Sequence, residues 1–182
     1  VKARQSTSKP SVVEIQPRVP VPPLVDFQID LKNRMREVLE QNGDRTRCIV
    51  TLPTGGGKTR VAVEAFIEWL APRFSEGKYL IWIAQSEELC EQAIQCIIDL
   101  WSDKEFYHPL KVYRFFGNYS INEEDLTGGV IVCSIQKIHN SLKSENELFD
   151  CILLDTGAMI IDEAHRAVSF MYDNLFDRAY EL

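Results

Sequence analysis

Apolar residues in this chain fall into short unbroken runs, separated by stretches in which they recur at helical spacing. The runs are Cys48–Leu52, Tyr79–Ala84, Lys111–Phe116, Val130–Ser134 and Met159–Asp162. Runs this short, rich in β-branched residues, predict strands buried on both faces. Upstream of the first run, Ile29, Leu31, Met35, Val38 and Leu39 mark one stripe of a helix over Ile29–Leu39. Lys58–Leu70 and Glu87–Trp101 are amphipathic in the same way. Strands alternating with helices predict an α/β domain: a parallel sheet covered by helices on both faces. Trp69, Trp82 and Trp101 fall inside these elements and are expected in the core. Asp150–Thr156 reads as a second strand end just before Met159. A loop is expected around Asp155–Gly157, with the earlier strand as the alternative member of the sheet.

Residues 1–25 break the pattern. Five prolines lie between Pro10 and Pro23 among serines, threonines and valines, which predicts a flexible tail or linker. Residues 26–182 then form one domain. The tail carries a net charge of +3, which leaves −10 on the rest of a chain whose total is −7. A body that acidic does not hold nucleic acid by bulk electrostatics, so any such binding must rest on localised groups. Five scattered cysteines without CxxC spacing support neither a disulfide frame nor a zinc site and are expected to be buried or half-buried thiols. No apolar run approaches the roughly 18 residues of a membrane span. A soluble intracellular protein, of cytoplasm or nucleus, is expected.

Candidate chemistry sits where two runs end. Cys48–Leu52 leads into Pro53-Thr54-Gly55-Gly56-Gly57-Lys58-Thr59-Arg60, at the start of an expected helix. Glycines without Cβ let the backbone curl its N–H groups inward around an anion. The unpaired N–H groups of the first helical turn, near Lys58, Thr59 and Arg60, add donors and the positive end of the helix dipole. Lys58 is placed to bridge phosphates and Thr59 to reach a metal ion. The general phosphate-loop pattern asks for glycine where this chain has Leu52. The second junction puts Asp162 and Glu163 at the carboxyl end of a strand, the edge where ligands of open α/β sheets gather. Asp162 suits Mg²⁺ and Glu163 suits the role of a base toward an attacking water.

Together LPTGGGKT and Asp162-Glu163-Ala164-His165 resemble motifs I and II of the superfamily 2 helicases, the DEAD/DEAH-box group, in which the leucine at position 52 is expected. Phe27-Gln28 looks like their adenine-reading Q motif, with Thr54 and Gly55–Gly57 among the nucleotide-binding residues. Ile81–Gln92 resembles motif Ia and Val130–Lys137 motif Ib. The resemblance makes Gln85, Ser86, Ser134, Gln136 and Lys137 the groups that grip a nucleic-acid backbone, although Ser86 fits equally as a helix cap. Phe116-Gly117-Asn118 looks like a further contact turn. His165 would relay nucleotide state to these motifs. Asp162–Ala167 with Tyr172 resembles the branch of restriction-enzyme motor subunits and duplex-DNA repair translocases, which favours DNA over RNA. The resemblance therefore implies a RecA-like P-loop domain using ATP and Mg²⁺, the first of two lobes of a helicase or translocase. The chain ends soon after His165, before any second lobe, so poor turnover by this piece alone is expected. An RNA helicase lobe and a non-catalytic nucleotide-gated scaffold remain the alternatives.

Overall fold

A computed structural model describes residues 11–15, 21–41, 46–53, 55–104, 108–144, 146–163 and 170–181. Five strands, β1 (Val12–Ile15), β2 (Tyr79–Ala84), β3 (Leu110–Phe115), β4 (Gly129–Ser134) and β5 (Thr156–Ile161), form one sheet in the order β1-β3-β4-β2-β5. β3, β4, β2 and β5 run parallel, and β1 joins β3 antiparallel with Val12 opposite Tyr113. The sheet is thus mixed and mostly parallel.

Side-chain alternation along the strands divides the core in two. Leu80, Trp82, Val112, Val130 and Val132 face one side with Phe66, Ile67 and Leu70 of α2 (Lys58–Leu70) and Ile94, Ile97 and Trp101 of α3 (Glu87–Asp103). Ile81, Ile83, Tyr113, Phe115 and Ile131 face the other. There they meet Ile138 of α4 (Ile135–Lys143), Phe149, Ile152 and Leu153 of α5 (Glu147–Leu154), and Tyr172 and Leu175 of α6 (Phe170–Glu181). Burial on both faces is what unbroken apolar strands require, at about 1.5–3 kcal/mol per large side chain. The tryptophans are core residues, as expected.

α1 (Asp26–Leu39) packs against α2, where Met35 meets Val61 and Ala65, and its Leu39 also reaches the sheet core. Charge reinforces that contact. Glu68 of α2 takes Lys32 of α1 and Lys104, each at 2.9 Å, and Glu64, only 5% exposed, takes Lys32 at 3.8 Å. Burial alone would raise the Glu68 carboxyl; the two lysine hydrogen bonds outweigh it and hold it below its usual range.

Five expectations need correction, the last of them the burial expected for every cysteine. Residues 46–53 have no regular structure, so Cys48–Leu52 is not a strand; Ile49 is 91% exposed, and only Val50 packs against the α1–α2 contact. A strand needs a neighbour, and among the described residues this one finds none. Cys151–Leu154 belongs to a helix: Asn146 caps it by accepting from Phe149 N at 3.3 Å, and Phe149, Ile152 and Leu153 recur at helical spacing. The loop expected at Asp155–Gly157 shrinks to Asp155, since β5 starts at Thr156. Within residues 1–25, taken as a loose tail, Val12–Ile15 is a strand, and Val21 N donates to Asp103 at 2.7 Å. Cys48 and Cys151 are exposed, while Cys90 and Cys133 are buried. Among the described residues no helix is long and apolar enough to cross a membrane.

Candidate functional site

Parallel pairing carries the carboxyl ends of β2, β3, β4 and β5 to one edge of the sheet, and the functional candidates gather there. Asp162 extends the ladder by one step, its N–H donating to Ile83 O at 2.9 Å. Glu163 follows with φ 53°, the left-handed region that a non-glycine residue rarely occupies. Its N–H donates to Asp162 Oδ1 at 2.9 Å. A strained turn is thereby fixed at the strand end, a place where backbone strain commonly accompanies function.

The glycine turn sits at the start of α2. Gly55 and Gly57 have φ of +80° and +78°, and Gly56 N closes the turn onto Pro53 O at 2.9 Å. Gly57 caps α2, and Val61 N donates back to its carbonyl at 2.9 Å. The N–H groups of Lys58, Thr59 and Arg60 precede the first intrahelical bond and point out of the helix end. Lys58 Nζ donates to Leu52 O at 3.3 Å, folded over its own loop. Burial raises the Asp162 carboxyl above its ordinary value, and Lys58 lies near enough to pull it partly back. The side chain of Arg60 is spent elsewhere, on Glu64 and on Pro22 O, so Arg60 offers the site its N–H alone. Thr54 and His165 lie outside the described residues.

Gln28 joins the same turn. Its Nε2 donates to Gly56 O at 3.1 Å, and its Oε1 accepts from Val25 N at 3.1 Å. One N–H and one lone pair of the amide are left for a ligand. A Cβ on Gly57 would come within 2.7 Å of Gln28 Nε2 and displace that amide, while the positive φ itself favours glycine there. Val25 and Phe27, just before Gln28 in the chain, are exposed apolar residues.

Beyond β2 along the same edge lies an open concavity of about 310 Å³. It is lined by Gln85 and Ser86 after β2, Gly117 after β3, and Ser134, Gln136 and Lys137 at the β4–α4 junction. All five backbone-gripping candidates thus share one surface with the glycine of the expected contact turn. Both serines are also helix caps: Ser86 Oγ accepts from Leu89 N and Ser134 Oγ from Lys137 N, each at 3.2 Å. Capping leaves each hydroxyl its own proton to donate. Lys137 Nζ donates to Gly117 O at 3.2 Å and keeps further N–H groups for a ligand. Glu87 and Asn140 line the concavity too, and sequence reasoning passed over both. Glu87 precedes the apolar stripe of α3 and reads as a favourable first-turn acid; only the nearness of Gly117, where a Cβ would meet its carboxylate at 2.8 Å, reveals its place. Asn140 gives no sequence signal beyond its spacing from Gln136, from which it accepts at 3.1 Å.

The model of one protein family, the type III restriction enzyme res subunit, matches residues 23–181.

Proposed function

Because the chain belongs to the family of the type III restriction enzyme res subunit, a family of superfamily 2 helicase lobes with ATP-dependent, RecA-like domains, we propose that it is the nucleotide-binding lobe of a DNA helicase or translocase. The observations that support this reading are the glycine turn capping α2, with Gly55 and Gly57 in the left-handed region, and Lys58 in electrostatic reach of Asp162 at the end of β5.

In this reading the N–H groups of Gly55 and of Gly57 to Arg60 receive the phosphates, and Lys58 leaves Leu52 O to lie along them. Gln28 offers its remaining donor and acceptor to the adenine edge. Thr59 and Asp162 hold the metal ion, and Glu163 takes a proton from the attacking water. Among the described residues no cluster of three His, Cys, Asp or Glu side chains could hold a metal alone. Two protein ligands suit Mg²⁺, which keeps its waters and takes phosphate oxygens, and when bound it neutralises charge developing on the phosphates. The hydroxyls of Ser86 and Ser134, with Lys137, serve a nucleic-acid backbone in the neighbouring concavity, His165 couples the two sites, and a second RecA-like lobe completes the ATP site.

Titration calorimetry with a non-hydrolysable ATP analogue, with and without Mg²⁺, tests this. Lys58→Ala is expected to weaken binding by about tenfold or more, and Gln28→Ala to erase the preference for adenine over guanine. With the second lobe supplied, Glu163→Gln should bind as well as the parent yet lose turnover. Parent-like affinity in Lys58→Ala would sink the reading. Stimulation by RNA and not DNA would reassign the substrate. A net charge of −10 on residues 26–182 favours a second reading, a non-catalytic nucleotide-gated scaffold, which binding without turnover in the two-lobed protein would bear out.

A further inference from the structure

Two hydrogen bonds decide which way round the Gln28 amide stands. Its Nε2 donates to the Gly56 carbonyl, which can only accept, and its Oε1 accepts from the Val25 N–H, which can only donate. An amide held in that sense offers a base one N–H and one lone pair. Adenine suits the pair, with its N6 amino donor beside the N7 acceptor, whereas guanine presents two acceptors, O6 and N7. An amide free to turn can offer its N–H groups to guanine instead. Discrimination thus depends on how firmly the Gly56 carbonyl and the Val25 N–H are kept in place. Gly56 is held by its own turn, through Pro53 O. Val25 is the N-cap of α1, with an extended backbone at φ −83° and ψ 163°, so the chain arriving from Val21 sets the direction of its N–H.

That chain is tied down. Val21 N donates to Asp103 Oδ1 at 2.7 Å, Leu24 packs beside Met35, Val61 and Ala65, and the Pro22 carbonyl accepts from Arg60 Nη2. Arg60 is braced in turn, its Nε donating at 3.2 Å to Oε1 of the buried Glu64. A planar guanidinium bonded on two sides keeps little freedom. What it holds is stiff as well, because the Pro23 ring fixes the φ that follows the Pro22 carbonyl. Val21 and Pro22 precede the residues that the family model matches, so the brace reaches outside the matched region. We propose that Arg60 is a positioning residue for base selection: by holding the Pro22 carbonyl it sets the path of the chain to Val25, and through the Val25 N–H the orientation of the Gln28 amide. This rests on reading Gln28 as the adenine contact. The Arg60 side chain acts on the site only through Gln28, apart from the backbone N–H that any residue at that position keeps.

The test is titration calorimetry of the chain and its variants with non-hydrolysable analogues of ATP and of GTP in the presence of Mg²⁺, read as the ratio of the two affinities. Arg60→Met keeps an unbranched stem and removes the guanidinium. It is expected to lower the preference for the ATP analogue roughly three- to tenfold, the size of one net hydrogen bond. Gln28→Ala should lower it as far or further, and the double variant no further than Gln28→Ala alone, because both act through one amide. Arg60→Lys, which keeps the charge without a fork to span Glu64 and Pro22, takes the place of Arg60→Met if that variant does not fold. If the folded variant keeps the parent's ratio or weakens both analogues alike while Gln28→Ala loses the preference, or if the two losses add, the positioning role is overturned and Gln28 stands. If Gln28→Ala keeps the parent's ratio, or the parent shows no preference, the adenine reading fails and takes this inference with it.

Discussion

Burial pushes the Asp162 carboxyl above the ordinary aspartate value, and Lys58 offsets only part of that. A carboxyl raised in the folded state favours folding while protonated, and that contribution disappears as pH rises through the raised value. At neutral pH ionised Asp162 therefore opposes folding. Asp162→Asn should melt higher than the parent at pH 7, with the gap closing below about pH 4, and should bind nucleotide with less dependence on Mg²⁺. A lower melting temperature at pH 7 would contradict the assigned electrostatics. At this scale the sequence was informative wherever a residue type has few uses. Gly55, Gly57 and Lys58 were legible because left-handed backbone and a lone lysine at a helix start narrow the choices. Glu87 was not, because a first-turn acid is common, and its place over Gly117 depends on two elements far apart in the chain. Nor could sequence reveal that Arg60 is committed to Glu64 and Pro22.

β5 shows how elements constrain one another. A Cβ on Gly157 would come within 2.4 Å of the Trp69 ring on α2, so β5 meets α2 only because that position lacks a side chain. Gly157→Ala must displace either the indole or the strand, and is expected to cost about 1–3 kcal/mol, the usual range for overpacking, read as a lower midpoint in urea. An unchanged midpoint would mean that the indole yields freely. Most elements could be anticipated: β2, β3 and β4 are short unbroken apolar runs, and α1, α2 and α3 keep a helical apolar period. The failures were runs for which local pattern is ambiguous. Cys151–Leu154 is apolar throughout and suits strand or helix equally; the Asn146 cap and the spacing of Phe149, Ile152 and Leu153 decide for helix. Val12–Ile15 was hidden by its prolines, and only the open side of β3 makes it a strand.

For the molecule as a whole, the fold brings Asp162-Glu163 and the nucleic-acid candidates to one sheet edge. Asp162 is bonded to Ile83, two residues before Gln85, so a shift at the acids reaches the groove through a single strand end. Parallel topology made this legible from sequence, since strand ends that follow apolar runs must collect on one side. What sequence could not supply was the fate of Cys48–Leu52, because pairing depends on a neighbour that no local pattern specifies. The outer side of β5 has no neighbouring strand among the described residues, and Ile49 stands in solvent. A bare backbone edge lined by Met159, Ile160 and Ile161 is a template for another copy of itself. Concentrated solutions of this chain should thus self-associate reversibly, visible as a sedimentation coefficient that climbs with loading concentration. Replacing Ile160 with lysine should keep the chain monomeric, whereas association that ignores that change would place the sticky surface elsewhere.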